Sequence, residues 1–227
     1  MIYALSDPHL DGGQNKPMNI FSDKWLNHKY KIEENWKRVV KDSDTVLIAG
    51  DISWAMKLED AIEDLRFIDS LSGKKILSRG NHDFWWTGLK KMQSLNLKTI
   101  QFLQNNSYSV EDYEIAGSRV WLDSTSKDYT EADKKITDRE VIRLKLSLDS
   151  CKKDRPIIAM LHYPPFNNKD KPNVFAEILK EYGVETCIYG HLHSKNFDNV
   201  NVGMIDGVEY FLTSCDYIDF TPVLIRR

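Results

Sequence analysis

Short apolar runs alternate with stretches of helical spacing along the first half of the chain. Residues 2–5, 45–49 and 75–78 read as buried strands. Between them Ile32, Trp36, Val39 and Val40 recur at helical spacing over residues 30–41. Ala61, Leu65, Ile68 and Leu71 do so over 58–71, with Gly73 placed to stop the helix. Leu89 and Met92 mark one face of a further helix over 86–95. From residue 99 the period shortens, and residues 102–103, 108–110, 113–116 and 120–122 read as short strands separated by Asn105-Asn106 and Gly117-Ser118 turns. A long charged helix is expected over 131–152, with Ile136, Val141, Leu144 and Leu148 inward. A strand over 156–161, a helix over 174–182 closed by Gly183 and a strand over 186–189 follow. Residues 202–205 and 209–213 form a hairpin across Asp206-Gly207, and 223–225 is expected to close the second sheet. Residues 11–29, 123–130 and 163–172 are polar loops; loops this long in a folded domain often carry function. Alternation first and hairpins later predict an α/β fold of two packed sheets flanked by helices. No repeat or linker divides it, so residues 1–227 are expected to form one domain.

Composition narrows the function classes. With 41% hydrophobic and 29% charged residues the 227-residue chain reads as a soluble globular protein. A net charge of −3 supplies no basic field to draw it to nucleic acid or an anionic membrane. No apolar run is long enough to span a bilayer, and the N-terminus lacks a signal-peptide pattern. Cys151, Cys187 and Cys215 have no CxxC spacing and leave one over, which argues for a reducing compartment. The cytoplasm is the expected location.

The candidate chemistry sits where apolar runs end. Asp7-Pro8-His9, Gly50-Asp51, Gly80-Asn81-His82-Asp83, His162 and Gly190-His191-Leu192-His193 each follow an expected strand. Strand-end loops are where α/β folds place their sites. Five of the six histidines fall in these clusters, interleaved with Asp and Asn. Asp7 and His9, like His191 and His193, are two apart, so in extended backbone each pair would point to one side and grip one centre. Gly50, Gly80 and Gly190 would permit close backbone approach. A donor set of oxygen and nitrogen alone favours Mn, Fe or Zn.

The ordered series Asp-x-His, Gly-Asp, Gly-Asn-His-Asp, His and Gly-His-x-His, from Asp7 to His193, is similar to the calcineurin-like metallophosphoesterase family. Asp7-Pro8-His9-Leu10, Gly50-Asp51-Ile52-Ser53-Trp54 and Asp83-Phe84-Trp85-Trp86 resemble a bacterial branch of predicted phosphohydrolases. The resemblance implies a four-layer α/β/β/α sandwich with two mixed sheets packed face to face. It implies that Asp7, His9 and His193 hold one metal ion, that Asn81, His162 and His191 hold a second, and that Asp51 bridges them. The cofactors would be two divalent or trivalent ions. The implied reaction is hydrolysis of a phosphate mono- or diester by in-line attack of a hydroxide shared by the ions. Two divalent ions, two carboxylates and that hydroxide leave about +1, a trap for phosphate. His82 is assigned to the leaving group, as proton donor or as a cation near the phosphoryl oxygens, and Asp83 is expected to orient His82 and raise its pKa. The alternative for Asp83 is a helix N-cap before Trp86.

Trp25, His28, Trp85, Trp86, Tyr129 and Tyr163 are candidates to stack on a base or an aromatic leaving group, and Lys16, Arg79 and Lys169 to bind further phosphate charge. The favoured partner is a small phosphorylated molecule or nucleotide. A nuclease would be expected to offer a broad basic surface. The competing class is a catalytically silent scaffold of the same fold, which chelator-sensitive turnover would exclude. A closed structural metal site would favour Cys ligands.

Overall fold

The computed structural model describes residues 1–14, 16–168 and 171–227. In chain order the elements are β1 (Ile2–Leu5), α1 (His28–Val39), β2 (Thr45–Ala49), α2 (Leu58–Ser70), β3 (Lys74–Ser78), α3 (Leu89–Gln93), β4 (Ile100–Phe102), β5 (Tyr108–Val110), β6 (Tyr113–Ser118), α4 (Glu131–Asp149), β7 (Ile157–Leu161), β8 (Phe166–Asn168), β9 (Lys171–Pro172), α5 (Val174–Glu181), β10 (Thr186–Tyr189), β11 (Gly203–Ile205), β12 (Val208–Leu212) and β13 (Val223–Arg226). The first sheet has the order β13-β1-β2-β3-β4 and the second β11-β12-β10-β7-β6-β5; β8 and β9 form a separate small hairpin. Central strands of both sheets run parallel: β1–β4 in one, β6, β7, β10 and β12 in the other. Antiparallel strands at the edges make both sheets mixed.

Side-chain alternation builds the layers. Ile2, Ala4, Leu47, Ala49 and Ile76 of the first sheet meet Ile115, Ile158, Met160 and Ile188 of the second in a core between the sheets. The intervening residues, Tyr3, Leu5, Val46, Ile48 and Leu77, face Ile32 and Trp36 of α1 and Ala61, Leu65 and Ile68 of α2. On the far side, Ala159, Leu161, Cys187 and Tyr189 face Leu144 and Leu148 of α4 and Phe175, Ile178 and Leu179 of α5. Each buried Ile, Leu or Phe contributes roughly 1.5–3 kcal/mol. The result is the α/β/β/α sandwich expected from the sequence. Among the described residues no helix is long and apolar enough to cross a membrane.

Several local expectations fail for physical reasons. β13 closes the first sheet, not the second, by pairing antiparallel with β1 (Ala4 opposite Val223). Residues 120–122 form no strand: Val120 takes φ +52°, and Trp121 turns aside to donate to Asp133 (2.7 Å) and pack on Tyr163. The helix expected over 86–95 is only Leu89–Gln93, because Trp85 and Trp86 are held inward by tertiary contacts. The loop over 11–29 contains two single 3-10 turns, Met18–Ile20 and Asp23–Trp25.

Lys75 is an unexpected core residue, with no exposed surface. Its ammonium donates to the carbonyls of Leu71, Gly73 (2.9 Å) and Asp69 (3.4 Å), closing the C-terminal end of α2. Burial pulls its pKa from 10.5 down to about 8, against the pull of Asp69 and Asp42. Between those values the unfolded chain keeps a proton that the folded chain has released, so this residue's contribution to stability rises with pH and falls away below about 8. Paired urea melts of wild type and Lys75→Met are expected to shift in favour of wild type by up to roughly 3 kcal/mol between pH 8 and 10.5. A pH-independent difference would contradict this role.

Candidate metal centre

All five clusters emerge from the C-terminal ends of β1, β2, β3, β7 and β10, so parallel pairing carries them to one edge of the sandwich. The local geometry differs from the extended pairs expected. Asp7 (φ +56°), His9 (+43°), Asp51 (+50°) and His191 (+70°) are all left-handed. These non-glycine residues are held in a costly conformation by the surrounding structure, a pattern common at functional sites. Glycine is required for the loops to meet. A Cβ on Gly80 would lie 2.1 Å from Asp51 Oδ1, and one on Gly190 2.3 Å from Asp7 Oδ2.

Two groups of donor atoms result, with Asp51 between them. His9 Nε2 lies 3.4 Å from His193 Nε2, and His193 Nε2 lies 3.7 Å from Asp7 Oδ1. Across the site, Asn81 Oδ1 has His162 Nε2 at 2.7 Å and His191 Nδ1 at 2.9 Å. Asp51 turns Oδ2 toward His9 Nε2 (3.8 Å) and Oδ1 toward His162 Nε2 (3.5 Å). Asp7, His9 and His193 have ligand atoms mutually within 4.8 Å, as do Asp7, Asp51 and His162. Converging lone pairs of this kind, all oxygen and nitrogen, fit a pair of divalent cations. The seven residues expected to be ligands are therefore brought together.

Residues outside the clusters aim these donors. Asp7 Oδ2 accepts from Ser6 Oγ (2.7 Å), Ser214 Oγ (3.0 Å) and the His191 amide (3.0 Å), which leaves Oδ1 facing the site. His162 Nδ1–H donates to the Ala49 carbonyl (3.0 Å) and His193 Nδ1–H to Asp216 (2.8 Å), freeing Nε2 of each ring. Such outer partners fix the tautomer of a metal-binding histidine. Asp216, Ser6 and Ser214 escaped the sequence reading. The available signal was that residues 213–216 follow a strand, β12, as every other cluster does. Asp216→Asn is expected to weaken metal binding at the His9–His193 group by roughly 10–100-fold. Metal titration of the chelator-treated protein checks this, and unchanged affinity would remove Asp216 from the account.

The charges are tightly coupled. Burial pushes Asp51 up, but His162, with His9 and His82, outweighs it and holds the carboxyl below its usual range. His162 is pulled down by burial yet raised to about 9 by Asp51 and Asp7. Burial lowers His9, and burial with the nearby His162 takes His191 to about 3, so both rings present neutral lone pairs. Burial also lowers His82, against the pull of Asp51.

The hydrogen bonds of Asp83 differ from the role expected of it. Its carboxylate accepts from the backbone amides of Ile52 (2.8 Å), Ser53 (3.2 Å) and Gly80 (2.8 Å) and from the Trp85 indole (2.9 Å). It neither orients His82 nor caps a helix; it ties the β2 loop to the β3 loop. Trp85 is wholly buried, and Trp86 lies nearly so with its indole on Gln104 (2.7 Å), so neither stands at the metal edge. Trp25 does, edge-on to His9 and His193, and Tyr163 stacks on His191 at 3.9 Å. Lys16 lies over the Trp54 ring (4.2 Å), and Trp54, passed over as a stacking candidate, packs on both His9 and His82. Lys169 lies outside the described residues. A cleft of about 450 Å³ opens beside the donors, lined by His9, Asp51, His82, His191 and His193 on one side and by Met18, Ile20, Phe21, Trp25 and Trp54 on the other.

Comparison with known proteins agrees with this arrangement. The sequence model of the family described as calcineurin-like phosphoesterase matches residues 1–195. No curated protein matches the chain. Among solved structures, the phosphopantetheinyl hydrolase of Mycobacterium tuberculosis is similar over 99% of this chain and 96% of its own, with TM-score 0.58 and 14% identity. A protein of unknown function from Aquifex aeolicus is similar over 98% and 94%, with TM-score 0.53 and 19% identity. At such identities the likeness is one of fold. With the family match spanning most of the chain, and five donor clusters gathered at one sheet edge, this protein belongs to the calcineurin-like phosphoesterase family.

Proposed function

We propose that the protein is a dinuclear-metal-dependent phosphoesterase that hydrolyses a small phosphorylated molecule or nucleotide. Asp7, His9 and His193 would hold one ion, Asn81, His162 and His191 the other, with Asp51 between them. The observation that carries this reading is the direction of Asp51, whose two oxygens face different donor groups. When bound, such an ion pair supplies a water of lowered pKa as nucleophile and charge to neutralise the phosphoryl oxygens. The protein's own groups do the rest. The His162 and His193 imidazoles are fixed by Ala49 and Asp216, so little reorganisation of these two rings would accompany the reaction. His82, half-buried at the cleft against Trp54 (4.5 Å), would donate its ring N–H to the leaving oxygen.

The cleft supports a small substrate. Its volume falls within the roughly 300–1,000 Å³ of small-molecule sites. Its outer wall of Met18, Ile20, Phe21, Trp25 and Trp54 suits an apolar or aromatic leaving group better than a polyanionic strand. The test is turnover of a chromogenic phosphomonoester and a diester with Mn²⁺ and with EDTA, followed by a panel of nucleotides, cyclic nucleotides and short oligonucleotides. Chelator-sensitive turnover is expected. Silence with every ester and several metals would favour a scaffold role.

A further inference from the structure

A second polar cleft, of about 210 Å³, lies between the ends of β3 and β6 and the side of α4. Its lining contains Arg79, Arg119 and Arg143 but a single carboxylate, Glu140, and none of the seven metal-facing residues. Glu140 is buried and already committed: it accepts from Arg143 (2.6 Å), Arg119 (3.5 Å) and Ser118 Oγ (3.0 Å). Among the described residues Arg79 has no side-chain partner, and the Nε atoms of Arg79 and Arg119 and the hydroxyl of Thr87 are buried without one. Burial, and after it the charge of Arg79, lower the Arg119 guanidinium, against the pull of Glu140.

A buried guanidinium N–H left without an acceptor is destabilising, and like charges gathered in one cleft add to that. An oxyanion relieves both, because planar guanidinium forks match phosphate geometry. We propose that this cleft is a second anion site, separate from the metal centre, that binds a phosphate group through Arg79, Arg119 and Arg143 with Thr87 as a further donor. The phosphate is either a free ion or the distal phosphoryl group of a doubly phosphorylated substrate. Trp86, buried away from the metal cleft, forms part of this site's wall. The site is also joined to the metal edge. Arg79 directly precedes Gly80-Asn81, and the Arg119 carbonyl accepts from the amide of Tyr163 (3.1 Å), whose ring stacks on His191.

Calorimetric titration of the metal-loaded protein with inorganic phosphate tests the proposal. A binding event should persist in Asp51→Asn yet weaken about tenfold or more in both Arg79→Gln and Arg143→Gln. Arg143 is half-buried on α4, on a different element from Arg79, so a loss shared by both variants is not the misfolding of either one. The source of the phosphate is read from the ratio of KM for a nucleoside 3′,5′-bisphosphate to KM for p-nitrophenyl phosphate. A rise in that ratio in the arginine variants identifies a distal phosphoryl group; loss of phosphate binding at constant ratio identifies the free ion. Phosphate binding that vanishes in Asp51→Asn and is untouched by both arginine variants would overturn the proposal. The calorimetric readout stands whether or not turnover is found.

Discussion

Replacing Asp51 with asparagine is expected to lower phosphoesterase turnover by roughly 10³-fold or more, with bound metal falling below two ions per chain. The amide keeps the shape but removes the charge between the donor groups, and a loss of about 4 kcal/mol of charge stabilisation corresponds to that factor. The oxygen of the introduced amide could still accept the His82 amide hydrogen bond that Asp51 Oδ1 accepts at 2.8 Å, so the loop should stay in place. Kinetics with elemental analysis measure both effects. Full activity with two ions retained would mean that the carboxylate is not the link between the groups.

His82→Ala should behave differently. Turnover is expected to fall by roughly 10²–10⁴-fold while both ions remain, because the ring lines the cleft but belongs to neither donor group. Removing it exposes part of Trp54, which packs on it at 4.5 Å, but leaves the Asp83 bonds that tie the loops together. The loss should shrink for substrates whose leaving group needs no proton, such as nitrophenyl esters, relative to alkyl esters. Loss of metal in this variant would reassign His82 to the coordination sphere.

The contrast between these two residues shows where sequence reading succeeds. The five clusters that carry Asp51 and its neighbours could be picked out because chemistry is local: polar residues crowd the ends of buried strands, and parallel pairing of β1–β3, β7 and β10 delivers those ends to one edge; which of their residues would hold metal is implied by the family resemblance. What could not be read depends on contacts between distant segments. Asp83 sits thirty-one positions from its Ile52 partner, and only the folded chain brings those amides to it. Asp216 is an isolated carboxylate in the sequence and acquires its role when β12 pairs with β10. The four residues of β13 carry no mark of their partner, since an apolar run fits the edge of either sheet. The left-handed backbone at Asp7, His9 and His191 was hidden for the same reason: non-glycine residues enter it under constraints imposed from elsewhere.

The most direct test of the central claim is a crystal structure of the manganese-loaded protein with anomalous scattering. Two peaks about 3.5–4 Å apart are expected, one among Asp7, His9 and His193, the other among Asn81, His162 and His191, each in contact with one oxygen of Asp51. A single peak, or a pair that Asp51 does not touch, would contradict the account.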